Sequence, residues 1–162
     1  MNEDQVLQSV IQWFIASGST LLYQTRSIAE GAIAGVDAIL YSPQHRRYTL
    51  IDAKGSAATP VARSTSFSNS LGSLIKRIRF ESGYSGFEAA SRFTPPESRA
   101  TVATDARHRV SDYVLALTPD YEETLRTALD PALASLLHIR AIIVQPDSIL
   151  EYAWPFPNNR NA

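Results

Sequence analysis

The chain has 162 residues, 44% of them apolar and 19% charged, with a formal net charge of −1. That is the size and balance of one folded domain built round a single core. The absence of cysteine excludes disulfides, thiolate zinc sites, iron–sulfur clusters and thiol nucleophiles, leaving oxygen and imidazole as metal ligands, and a charge near zero excludes the strong basic field of a dedicated nucleic-acid-binding domain.

The opening MNEDQVLQSV is acidic where a secretory leader is basic, and no apolar run reaches the roughly 18–20 residues of a membrane helix. A soluble cytoplasmic protein with no membrane segment is expected. Within residues 4–17, Val6, Leu7, Val10, Ile11 and Phe14 recur at helical spacing, which predicts an amphipathic helix ending at Gly18. Residues 20–28 (TLLYQTRSI) are β-branched and aromatic enough for a strand, and residues 29–35, with two glycines, turn the chain. Residues 36–42 and 47–54 predict two more strands, joined by the polar turn Pro43-Gln44-His45-Arg46.

After Gly55 a Ser/Ala/Thr-rich segment runs to Ser66, and a second helix follows with Leu71, Leu74, Ile75 and Ile78 on one stripe. Residues 81–109 carry no plain periodicity; a short helix near residues 87–93 or a functional flap is expected there. Residues 112–117 (DYVLAL) predict a buried strand. Thr118 is expected to cap a third helix, with Pro119 in its first turn and Asp120, Glu122 and Glu123 near the positive end of its dipole. Pro131 kinks or restarts that helix, and residues 139–144 (IRAIIV) form a further strand. The order predicts an α/β fold with an αβββαβ core, a mixed central sheet flanked by helices. One domain over residues 1–154 is expected, with residues 155–162 a loose tail.

Side chains alternate along a strand, so Tyr48, Leu50, Asp52 and Lys54 share one face while Thr49, Ile51 and Ala53 take the other. Asp52 and Lys54 then point the same way, about 7 Å apart at the backbone. Counted out from the turn, Asp37 lies about as far back on its strand as Asp52 does on the next. Two carboxylates gathered in this way make a hard oxygen site suited to Mg²⁺, which takes one or two protein carboxylates and keeps waters for a substrate phosphate. A nearby ammonium can orient a water or stabilise charge on a phosphoryl oxygen. The plainer reading is a surface ion pair at a strand end, worth under about 1 kcal/mol.

Asp37 followed by Asp52-Ala53-Lys54 resembles the motif of the PD-(D/E)XK nuclease superfamily, whose members share the restriction-endonuclease-like fold. The succession of elements from residue 4 to about residue 144 is similar to that superfamily's core. The resemblance implies a metal-dependent endo- or exodeoxyribonuclease, hydrolysing DNA phosphodiesters by in-line attack of a metal-activated water. It implies that Asp37 and Asp52 bind Mg²⁺, with Mn²⁺ as a substitute, that the Ala53 carbonyl adds a ligand, and that Lys54 assists the nucleophilic water. Some members carry a further Glu near the start of the first helix; Glu3 stands in the matching place, and Glu30 is a second candidate. Gly35-Val36 precede Asp37 where the name motif has Pro, and SLGSLIKRI offers Ser73 or Lys76 where many relatives have Gln. Family habit also implies a homodimer.

Lys54 and Lys76 are the two lysines among fifteen basic residues, which marks Lys54, since arginine is the better phosphate fork and lysine the compact, tunable charge. Lys76, Arg77, Arg79, Arg46 and Arg47 are candidates for DNA phosphate contact, as is Arg107-His108-Arg109, although a charged run beside an apolar stripe is commonly the wet face of a helix. A chain this short leaves little room for base readout, so structure-selective or partner-directed action is expected. Two readings compete with the nuclease: a catalytically silent nuclease-fold protein serving as a nucleic-acid-binding or protein-interaction module, and a phosphate-handling enzyme for small molecules. His45, His108 and His138 lack paired ligand spacing, so zinc is not expected. Gly83-Tyr84-Ser85-Gly86 falls short of a nucleophile elbow, and no phosphate-binding glycine fingerprint is present.

Overall fold

The computed structural model describes residues 1–24, 37–79, 111–129, 132, 134 and 139–152. Helix α1, Glu3–Ala16, is held at both ends by its own sequence. Asn2 accepts from the Gln5 amide while the Gln5 side chain accepts from the Asn2 amide, both at 2.9 Å, a capping box. At the other end Gly18, at φ +102°, lets its own amide reach Ile15 O and that of Ser19 reach Phe14 O, closing the helix in a Schellman turn. The predicted stripe of Val6, Leu7, Val10, Ile11 and Phe14 is the buried face.

Strands β1 (Thr20–Gln24), β2 (Ala38–Ser42) and β3 (Arg47–Lys54) form an antiparallel meander. The β2–β3 turn closes through Arg46 in the left-handed region at φ 52°. Helix α2, Pro60–Arg79, follows β3, and β4 (Ser111–Leu117) pairs parallel to β3. A 3₁₀ turn, Pro119–Tyr121, leads into α3 (Glu122–Ala128), and β5 (Ile139–Val144) pairs parallel to β4. The short β6 (Ile149–Glu151) adds antiparallel to β5, so that the described residues form a mixed six-stranded sheet in sequential order. The protein is thus α/β, and among the described residues no helix is long and apolar enough to cross a membrane.

The sheet is covered on both sides. On one face α1 packs over Ala38, Leu40, Ile51, Ala53, Val114 and Ala116. On the other, Phe67 of α2 with Tyr121 and Leu125 packs over Ile39, Leu50, Leu115 and Leu117. Strand β3 is therefore buried on both faces from Tyr48 through Ala53, as central strands with parallel neighbours are.

Three expectations need correction. Helix α2 begins at Pro60, inside the Ser/Ala/Thr-rich segment read as non-helical up to Ser66. Thr59 caps it by accepting from the Ala62 amide at 3.1 Å, and Pro60 follows at the first helical position, where its missing N–H costs nothing. Thr118 does not cap α3: its side chain makes no bond to the helix backbone and instead donates to Asp120. Strand β6 was not expected, since three residues are too few to show a period. Residues 25–28 of the first predicted strand, the segment 81–109, Pro131 and the tail 155–162 lie outside the described residues.

Candidate metal centre at the end of the central hairpin

The β2–β3 register pairs Ala38 with Ile51, so Asp37 falls opposite Asp52, as the count from the turn predicts. Two hydrogen bonds fix Asp37 there. Its amide donates to Ile51 O at 2.7 Å, and its Oδ2 accepts from the Ala53 amide at 2.8 Å.

Asp52 sits on the face covered by α2, with Leu50 before it and Lys54 after it. Only 6% of its surface is exposed. Its Oδ2 is fully buried and makes no hydrogen bond of good geometry, and neither does the hydroxyl of Ser70 on α2, although both Ser70 and Asp37 lie within reach of the carboxylate. Burial pushes the Asp52 carboxyl up to about 7; Ser70 and Lys54 pull it down, while the neighbouring Asp37 pushes it further up. Ser70 is thus near enough to favour the anion without satisfying it. A buried, unpaired carboxylate oxygen costs several kcal/mol or keeps its proton, which is why this position demands an explanation.

Lys54 ends the strand half-buried, and among the described residues it forms no ion pair within 4 Å. The next residue brings in the fourth group. A Cβ at Gly55 would lie 2.5 Å from the Glu3 amide nitrogen and 2.6 Å from the Asn2 carbonyl carbon; only glycine lets the start of α1 cross this close. The Ser56 amide then donates to Met1 O at 3.0 Å. Glu3 is thereby set beside Lys54 and Asp37. Packing around it raises its pKa most, Lys54 lowers it and Asp37 raises it.

The chain leaving Lys54 is tied down by residues that sequence reasoning did not select. Asp120 accepts from the Ala57 amide at 3.2 Å, and Arg63 of α2 donates to Ala57 O at 3.1 Å. These bonds join the loop after β3 to α2 and to the turn after β4. Ser70, Gly55, Asp120 and Arg63 were missed because each acts across the fold; the Thr-Pro start of α2 was the one local signal that would have put Arg63 on a helix.

Asp37, Asp52, Lys54 and Glu3 are therefore brought together, with Ala53 between the two strand-end charges. Arg46 and Arg47 are not: they lie at the other end of β3, seven residues or about 23 Å from Lys54. Arg47 donates to Asp112 from Nε at 3.1 Å and from Nη2 at 2.7 Å. Lys76, Arg77 and Arg79 lie in the last turns of α2, where the backbone alone is described. Glu30 and residues 107–109 are outside the described residues.

Among the described residues no three Asp, Glu or His side chains are gathered closely enough to hold a metal ion by themselves. The Asp37–Asp52 pair still fits a hard cation that takes one or two carboxylates and fills its remaining positions with water or phosphate, and the orphaned Oδ2 of Asp52 is an acceptor in want of such a charge. No family model matches the chain, and no curated protein or solved structure matches it, so what this end of the sheet does rests on the chemistry of Asp37, Asp52, Lys54 and Glu3.

Proposed function

We propose that the protein is a Mg²⁺-dependent nuclease of the restriction-endonuclease-like fold, hydrolysing phosphodiester bonds of DNA in a structure-selective or partner-directed way. The observation that carries the reading is the buried, unpaired Oδ2 of Asp52, set beside Asp37 and on the same strand face as Lys54. The antiparallel β1–β2–β3 meander followed by a parallel β4 through α2 supports it, since that is the connectivity the resemblance implies.

Asp37, Asp52 and the Ala53 carbonyl would hold the ion; Glu3, which does not gather with the two aspartates closely enough to be a third ligand, would act on it through charge or through a bridging water. The ion would supply a Lewis acid and lower the pKa of an attacking water. Lys54 contributes a compact cation that orients the nucleophile and offsets charge on a phosphoryl oxygen. Burial of Asp52 excludes competing water from one side of the site and makes its anion expensive until a cation arrives.

The test is incubation of plasmid, single-stranded and branched DNA with Mg²⁺ or Mn²⁺. Wild type is expected to cleave, Asp52→Ala to fall to background, and Lys54→Ala to lose about 100-fold or more. Cleavage persisting in both variants would mark a contaminant. No cleavage by wild type, together with no Mn²⁺ binding by calorimetry, would sink the nuclease. One observation favours the second reading, a silent nuclease-fold interaction module: the described residues offer two close carboxylates and no third.

A further inference from the structure

We propose that the cavity at the opposite end of the sheet is a binding site for a small phosphate monoester carrying a flat apolar group. The cavity follows from element lengths. Helix α1 has 14 residues and spans about 21 Å; β3 has 8 and spans about 26 Å. With its first turn pinned against Gly55, α1 ends short of the sheet. The side chains of that face lying beyond it, Arg47, Thr49, Asp112 and Arg140, floor a cavity of about 250 Å³ walled by Trp13 and Phe14. Where α1 covers the same face, the positions are Ile51, Ala53, Val114 and Ile142. Polarity begins where the helix stops.

The hydrogen-bond inventory of the cavity is one-sided. Asp112, the one carboxylate of the lining, accepts two bonds from Arg47 and lies 3.7 Å from Nη1 of Arg140. Arg140 is held further by Glu151, which is not part of the lining, through Nε at 2.7 Å, and its guanidinium stands 5.6 Å from the Phe14 ring centroid. The carboxylate oxygens of the lining are spoken for. Among the described residues, Nη1 of Arg47, the imidazole of His45 and the hydroxyl of Ser19 make no hydrogen bond, and the Ser42 hydroxyl only accepts, from the His45 amide at 3.4 Å. Donation to Asp112 holds Arg47 firmly in its charged form. The two guanidinium groups are matched by Asp112 within the lining and Glu151 outside it, so it is the donors left over, Nη1 of Arg47 with the hydroxyl and imidazole groups around it, that suit a ligand rich in acceptors. A phosphate monoester presents several oxygens to such donors, and an aromatic ring on it would lie against Trp13. The volume, slightly below that of a drug-sized pocket, sets the limit to a small molecule.

The site is independent of the proposed nuclease centre, being about 23 Å away along β3. Calorimetric titration of the full chain in EDTA with phenyl phosphate, inorganic phosphate and phenol tests it. Phenyl phosphate is expected to saturate with a Kd below about 1 mM, at least about fivefold tighter than inorganic phosphate, and phenol not to bind. Arg47→Gln should weaken phenyl phosphate about tenfold or more and His45→Gln severalfold, while Asp52→Asn leaves it unchanged. His45 lies in an exposed turn, so its variant decides the matter if circular dichroism shows that Arg47→Gln misfolds. No saturable binding by wild type, equal affinity in the folded variants, or loss of binding in Asp52→Asn would overturn the proposal.

Discussion

The two ends of β3 carry opposite solutions to buried charge. At the Arg47 end a guanidinium meets a carboxylate through two well-formed hydrogen bonds, and a second arginine backs the same acid. At the Lys54 end two carboxylates lie side by side, one oxygen has no partner and the lysine stands off. The first arrangement is what stability selects. The second weakens the fold, and its retention at the meeting point of β2, β3, α1 and α2 is best explained by a charged species that binds there.

That contrast can be broken by removing the unpaired charge. Because Asp52 binds its proton more tightly when folded, the folded state holds more protons between about pH 4 and pH 7. Its favourable contribution is thus complete below about pH 4 and gone above about pH 7. Asp52→Asn should therefore stabilise the metal-free protein at pH 8 by about 2–4 kcal/mol and flatten its pH dependence, read by urea denaturation at pH 5 and pH 8. Mn²⁺ at pH 8 should raise the Tm of wild type and not of the variant; a variant no more stable than wild type at pH 8 would mean that Asp52 is not strained.

Gly55→Ala tests whether the close crossing of α1 assembles that end. With a Cβ 2.5 Å from the Glu3 amide, the helix start must shift, at a cost of about 1–3 kcal/mol, and Mn²⁺ affinity should fall with it if Glu3 takes part. At the opposite end Asp112→Asn should destabilise by about 1–3 kcal/mol at neutral pH, since Arg47 and Arg140 lose their shared acid. The smallest effect belongs to Ser70→Ala. The hydroxyl makes no well-formed hydrogen bond, so stability should change by less than about 1 kcal/mol, while Mn²⁺ binding weakens because its weak contact favouring the Asp52 anion is gone. Unchanged binding would reduce Ser70 to packing.

Much of this was legible in local pattern. The apolar stripe of α1, the alternation in β3 and the four-residue turn between β2 and β3 are properties of neighbouring residues, and together they place Asp37 across from Asp52 without further information. Alternation also placed Asp52 and Lys54 on one face. It could not say which helix covers that face or that Ser70 is the group set against Asp52. Arg47 shows the limit from the other side: as a sequence feature it is a candidate phosphate contact beside Arg46, and its pairing with Asp112 spans 65 positions.

The order of elements from α1 to β5, the period of α1 and β3, and the pairing of residue 37 with residue 52 were decided by the chain itself, because periodicity and hairpin register are short-range geometry. The burial of Asp52, the need for glycine at position 55, the approach of Glu3 and the bared polar floor beyond α1 were decided only by tertiary structure. Those features depend on how far a helix reaches along a sheet and on what packs above a strand end, and neither is encoded in any window of adjacent residues.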